Sequence, residues 1–96
     1  MSNKEKMLQI LKAYYDKKMS NEQIDVNSFN LEDGRHEGAF YLSSLERDGF
    51  IEFEGEVIVP GGQRHQKYSN SVAAIWWSNA HITKSGENEL KENNII

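Results

Sequence analysis

The segment "GGQRHQKYSNS", residues 61–71, contains residue types that bind phosphate oxygens. Arg64 and Lys67 are cationic, the His65 imidazole can donate a hydrogen bond, and the neighbouring glutamine, asparagine and serine side chains supply further donors. The two leading glycines allow a ligand to approach the backbone closely. No aspartate or glutamate occurs in residues 57–86, although the chain has a net charge of −4. The segment therefore predicts either a basic contact with nucleic acid or an ordinary solvated loop.

A second candidate surface lies on a helix predicted over residues 31–48. Four side chains spaced i, i+4, i+7 and i+11 share one side of this helix, and they are His36, Phe40, Ser43 and Arg47. Arginine and serine can hydrogen-bond base edges or phosphates, and an aromatic ring can contact a thymine methyl group. We expect this stripe to face outward. The predicted DNA contacts are His36, Ser43 and Arg47 from the helix, and Arg64, His65 and Lys67 from the basic segment.

Acidic residues on the same helix support an alternative function. Residues 21–59 carry ten acidic and two basic side chains, and negative charge near the helix opposes the approach of phosphates. The alternative function is therefore a protein-interaction module that does not bind DNA. It would contact its partner through the acidic surface or through an exposed tryptophan. If the cations of this region do not share a face with Lys12 or Lys17 of the first helix, the interaction module is the better interpretation; these cations are Arg35, Arg47, Arg64 and Lys67.

The sequence lacks the residues and motifs that predict disulfides, catalysis, metal binding or cofactor binding. The chain has no cysteine, which excludes disulfides, thiol nucleophiles and cysteine-ligated zinc. The three histidines, His36, His65 and His81, have no i, i+3 or i, i+4 spacing for a helical metal site. No nucleophile motif or cofactor fingerprint occurs. We expect no enzyme, metal or cofactor, and the lack of a long apolar run or signal segment predicts a cytoplasmic protein without membrane contact.

Helical spacing and capping residues predict the elements before the strands. The first helix has its apolar stripe at Met7, Ile10, Leu11 and Tyr14, a capping box at Ser2 and Glu5, and an end near Lys18. A short helical turn is predicted at residues 20–23. The helix over residues 31–48 has Asn30 as its N-cap and Gly49 just beyond its end, while Tyr41, Leu42 and Leu45 face the core.

Alternating apolar residues predict a β-hairpin after this helix. Residues 51–59 form its first strand, with Gly55 as a bulge or turn. Residues 60–72 form the connecting loop, and an antiparallel strand starts after residue 72 and reaches residue 82. One of Trp76 and Trp77 is expected in the core and the other at the surface. Thr83 caps a last helix, with Leu90 as its apolar contact.

This order of elements is typical of an α+β winged helix-turn-helix. Residues 1–96 would form one domain with a three-helix core, a β-hairpin wing and an extra C-terminal helix. In such a fold the third element lies in the major groove, and the wing contacts the adjacent DNA backbone. Because one such module makes few contacts, a homodimer is expected.

Two motifs also carry a family resemblance. They are "LSSLERDGFI", residues 42–51, and "AHITKSGENELKEN", residues 80–93. Together they resemble the YjcQ-like family of small bacterial and phage winged-helix proteins, in which a leucine-rich helix with a glycine-aromatic-isoleucine turn precedes a threonine-capped C-terminal helix. The resemblance covers roughly residues 7–93. It implies a winged-helix fold and a DNA-binding role.

Overall fold

The computed structural model describes residues 3–96, which form an α+β arrangement of three α-helices and four β-strands. The elements in chain order are α1 (Asn3–Ser20), a first 3-10 helix (Val26–Phe29), α2 (Gly34–Arg47), β1 (Ile51–Phe53), β2 (Ile58–His65), β3 (Asn70–Ile75), a second 3-10 helix (Trp77–Asn79), β4 (Ala80–Ile82) and α3 (Lys84–Glu92). The predicted α+β class is confirmed. No helix within residues 3–96 is both long enough and apolar enough to cross a membrane.

α1 carries the apolar stripe that its sequence predicts. The buried or partly buried members of the stripe are Met7, Ile10, Leu11 and Tyr14. The Tyr14 hydroxyl donates to the Trp77 carbonyl at 2.8 Å, which ties α1 to the second 3-10 helix. The helix ends at Ser20, slightly beyond the predicted end near Lys18. The predicted capping box begins at Ser2, which lies outside the described residues.

The connection between α1 and α2 differs from the prediction. The helical turn expected at residues 20–23 is wrong, because the first 3-10 helix lies farther along and is capped by the Asp25 side chain. Asn30 does not cap α2. It ends the first 3-10 helix with a left-handed φ of 52°, a conformation that asparagine tolerates. Since Gly34 is also left-handed, at φ 60°, the α-helix starts there rather than at residue 31.

The strands form two separate antiparallel pairs, so the prediction of one continuous hairpin is wrong. β1 pairs with β4, and β2 pairs with β3. The registers place Ile51 opposite Ile82 and Ile58 opposite Ile75. Gly55 turns the chain between β1 and β2 with a φ of 73°, and the second 3-10 helix separates β3 from β4. Asn79 links the second 3-10 helix to the turn between β1 and β2, because its side-chain amide donates to the Glu56 carbonyl at 2.9 Å.

The basic segment is mostly strand, although residues 60–72 were predicted to be a loop. β2 continues to His65 and β3 begins at Asn70, so only residues 66–69 form the turn. The pairing shifts register on both sides of Pro60, where proline offers no backbone donor. The turn closes with a hydrogen bond from the Ser69 amide to the His65 carbonyl at 2.8 Å.

α3 packs against α1, and the residue before its first turn contacts the turn that follows α2. Thr83 caps α3 as predicted, since its hydroxyl oxygen accepts from the Gly86 amide at 3.1 Å. The same hydroxyl donates to the Gly49 carbonyl. Leu90 is fully buried, as expected. One threonine thus fixes both the start of α3 and its contact with the turn after α2.

Candidate nucleic-acid interface

A cleft of about 800 Å³ lies between the start of α2 and the tip of the β2–β3 hairpin. None of its lining residues is acidic. They are Arg35, His36, Gln63, Arg64, His65, Gln66 and Lys67, and we name this surface the basic cleft. It brings together four of the six residues that the sequence predicted as DNA contacts: His36, Arg64, His65 and Lys67.

Packing of α2 against β3 holds α2 and the hairpin on either side of the basic cleft. The Arg35 Nε–H donates to the Val72 carbonyl, and the Asn70 side-chain amide donates to the His36 carbonyl at 3.1 Å. These two bonds tie the first turn of α2 to a strand more than thirty residues away in sequence. The cleft is therefore a product of the tertiary fold.

Asp33 fastens the hairpin turn to α2. It occupies the N-cap position, but its side chain makes no capping bond to the helix. Its carboxylate instead accepts from the Tyr68 hydroxyl at 3.1 Å and lies 3.6 Å from Lys67 Nζ. Burial and the hydrogen bond to Asp33 raise the pKa of Tyr68 to about 12. The carboxylate also partly neutralises Lys67 and so competes with any incoming anion.

Four rings form a row from α2 across the hairpin turn and back. His36 and His65 have ring centroids 4.9 Å apart, His65 and Tyr68 5.2 Å, and Tyr68 and Phe40 5.3 Å. Phe40 ends the row with 36% of its surface exposed. The hairpin thus covers one end of the helix surface that was predicted to be open.

His36 does not face outward, so this part of the predicted stripe is wrong. Its ring is half-buried under the hairpin, and its Nε2 atom is shielded from solvent without a hydrogen-bond partner. Desolvation, followed by the positive charge of Arg35 and the neighbouring imidazole of His65, lowers the pKa of His36. These surroundings favour the neutral form of His36.

Ser43 and Arg47 lie outside the basic cleft. Ser43 is half-buried and Arg47 is exposed in the last turn of α2. At 1.5 Å per residue, eleven residues separate His36 from Arg47 by roughly 16 Å along the helix. The structure therefore divides the six predicted residues into a cluster of four and a separate pair.

One of the acidic residues on α2 is neutralised inside the fold. Glu37 is only 4% exposed, lies 3.5 Å from Lys6 Nζ, and accepts a hydrogen bond from the Asp33 amide. Glu32, Glu46 and Asp48 remain exposed. Repulsion of phosphates by α2 thus comes from fewer side chains than the sequence indicates.

Three lysines in the second half of α1 have partners within the fold, one of them in α1 itself and two in other elements. Lys12 pairs with Asp16 at 2.8 Å and Lys18 with Glu87 at 2.7 Å, while Lys17 donates to the Ser78 carbonyl. None of these three lysines lines the basic cleft. The condition that would favour DNA binding, cations that share a face with Lys12 or Lys17, is therefore not met at the basic cleft, and this outcome supports the protein-interaction module.

Sequence reasoning missed the roles of Asp33, Arg35 and Tyr68. Arg35 directly precedes a predicted contact, and this adjacency was the available signal. The role of Asp33 could not be found in the same way, because it depends on where the hairpin turn lies. The register of β2 and β3 decides that position.

Comparison of the chain with protein-family models, with curated proteins and with solved structures gives no match. The resemblance to the YjcQ-like family stays a prediction from its two motifs. Within residues 3–96, no group of three or more histidine, aspartate or glutamate side chains is arranged to hold a metal ion.

Proposed function

We propose that this chain is a winged helix-turn-helix protein that binds double-stranded DNA through the basic cleft. In this proposal α2 is the recognition helix and the β2–β3 hairpin is the wing. The observation that carries the proposal is the meeting of Arg35, Arg64 and Lys67 in one cleft, where the Asp33 carboxylate beside Lys67 offsets only part of their charge. Phosphate oxygens are the ligands that such closely grouped cations attract most strongly.

The start of α2 adds a second attraction for phosphate. Arg35 lies in the first helical turn, and the Asp33 side chain is directed to the hairpin rather than to the helix amides. The positive end of the helix dipole adjoins the cleft, and the Glu37 carboxylate in the same turn offsets part of its attraction for an anion. Ser43 and Arg47 would contact bases or further phosphates along the groove. The cleft thus supplies affinity, and the far end of α2 supplies sequence preference.

A fluorescence-anisotropy titration with a labelled mixed-sequence duplex tests this function. Binding should be detectable at about 50 mM salt and should weaken as salt rises, because phosphate contacts release counterions. The double variant Arg35→Ala/Arg64→Ala should bind more weakly than the wild type. Lys91→Ala is the matched control, since Lys91 is exposed on α3 and does not line the cleft. Absence of binding at the lowest salt would refute the proposal.

A second candidate function is that of a protein-interaction module. Its first support is Trp76, which is 55% exposed beside the second 3-10 helix. Its second support is that Lys17 and Lys18 of α1 are bonded to other elements of the fold rather than added to the basic cleft. Large aromatic side chains are enriched in protein interfaces. Sedimentation of the wild type and of Trp76→Ala tests a homodimer through this surface. A dimer that dissociates in the variant, combined with no DNA binding, would favour this candidate.

A further inference from the structure

The imidazoles of His36 and His65 lie inside the basic cleft with their ring planes tilted by 34°. In each ring one nitrogen is shielded from solvent and has no hydrogen-bond partner among the described residues. These atoms are His36 Nε2 and His65 Nδ1. Buried polar atoms in proteins are normally paired. Because these two atoms are shielded, a ligand in the cleft would contact each ring through its other nitrogen, and the unpaired atoms mark the two imidazoles as polar groups whose hydrogen bonding is incomplete in the free protein.

The charges around the two rings disfavour protonation of His36 in the free protein. Arg35 on α2, together with Arg64 and Lys67 on the hairpin, places positive charge in the cleft. Asp33 opposes them at 3.9 Å from His65 Nε2, but Lys67 and the Tyr68 hydroxyl share its carboxylate. From β3 comes only the neutral amide of Asn70, which bonds the His36 carbonyl. The free cleft therefore carries excess positive charge that disfavours an added proton.

We propose that the basic cleft binds a DNA phosphodiester together with one proton, which the imidazoles of His36 and His65 share. The proton comes from solvent and converts one imidazole to imidazolium, and no bond of the phosphate breaks. The imidazolium then donates a hydrogen bond to a phosphate oxygen, and the phosphate charge offsets the cations around it. This inference rests on the proposed DNA-binding function and names the protonation state in which it operates.

The direction of the pH dependence follows from this linkage. Phosphate binding favours the protonated form of the imidazoles, so the complex holds more protons than the free components. Affinity then rises as pH falls through the pKa of the complex, and it levels off below the pKa of the free protein. One proton taken up strengthens binding by at most about tenfold per pH unit.

The test is an anisotropy titration of the full chain with the mixed-sequence duplex between about pH 5.5 and about pH 8, where imidazoles titrate, at constant ionic strength. The wild type should bind up to about tenfold more tightly per unit of decreasing pH, and His36→Gln and His65→Gln should flatten this dependence. His81→Gln is the matched control, because His81 lies on β4, 2.8 Å from Glu54 and outside the cleft. Circular dichroism confirms that each variant is folded.

A parallel calorimetric titration with inorganic pyrophosphate separates the two proposals. DNA binding whose pH dependence is unchanged in both cleft variants overturns the proton linkage and leaves the DNA function standing. No DNA binding, combined with pyrophosphate binding that depends on pH and on the two histidines, overturns the DNA function and supports the linkage. If neither ligand binds at any pH, both proposals are overturned.

Discussion

Replacing Arg64 with alanine should lower the salt dependence of DNA binding by about one unit. Arg64 is exposed in the basic cleft and has no ion-pair partner among the described residues. Lys67 is also exposed, but its Nζ atom lies 3.6 Å from Asp33. A cation that already has a counter-charge releases fewer ions from DNA, so Lys67→Ala should change the slope less than Arg64→Ala.

The expected magnitude follows from counterion release. One lost phosphate contact lowers the slope of log affinity against log salt by about 0.9. A fourfold rise in salt, from about 50 to about 200 mM, should therefore weaken the wild type about 3.5-fold more than Arg64→Ala, since 4 to the power 0.9 is about 3.5. Anisotropy titrations at several salt concentrations measure this slope, with Lys91→Ala as the control. An unchanged slope in Arg64→Ala, or a larger effect in Lys67→Ala, would refute the assignment.

Three further predictions test the fold that forms the cleft. Leu42→Ala deletes a fully buried side chain of α2, and should lower the free energy of unfolding in urea by about 2–5 kcal/mol; an unchanged midpoint would contradict this core. Gly86→Ala should lower the melting temperature, because the new Cβ would overlap the Phe50 carbonyl and lie 2.7 Å from Ile82 Cγ1; a higher melting temperature would show that α3 can shift. The Tyr68 phenol, with its pKa raised to about 12 from 10.0, contributes stability that is complete below about pH 10 and lost as pH rises towards 12. Alkaline difference absorbance of the wild type against Tyr68→Phe measures this ionisation, and a midpoint near pH 10 would mean that the turn does not pack on α2.

Local patterns predicted the helices with their core faces. The stripe of α1, the Thr83 cap and the burial of Leu90 all depend on residues within a few positions of one another. Each was expected from spacing alone. The start of α2 was wrong because two left-handed residues, Asn30 and Gly34, interrupt the backbone where the sequence offers an acceptable cap.

The strands show where local patterns fail. Alternation of apolar residues was compatible with one long hairpin, but the chain leaves the ladder at Gly55, where a bulge or turn was expected, and again at residues 77–79, where no break was expected. Pairing between distant segments sets the positions of these breaks. The Asn79 side-chain amide donates to the Glu56 carbonyl, and the Trp76 backbone amide donates to the Val57 carbonyl. Such pairing depends on register, which a single strand sequence does not specify.

The sequence alone determined that this protein is an α+β chain with a basic segment near its middle, because composition, helical spacing and capping are local properties. Tertiary structure decided which cations act together. It joined the hairpin to the first turn of α2, placed the His36 and His65 rings 4.9 Å apart, and bonded Lys17 and Lys18 of α1 to other elements. The physical reason is that the charge of a site depends on distances across the fold, and packing of α2 on β3 sets those distances.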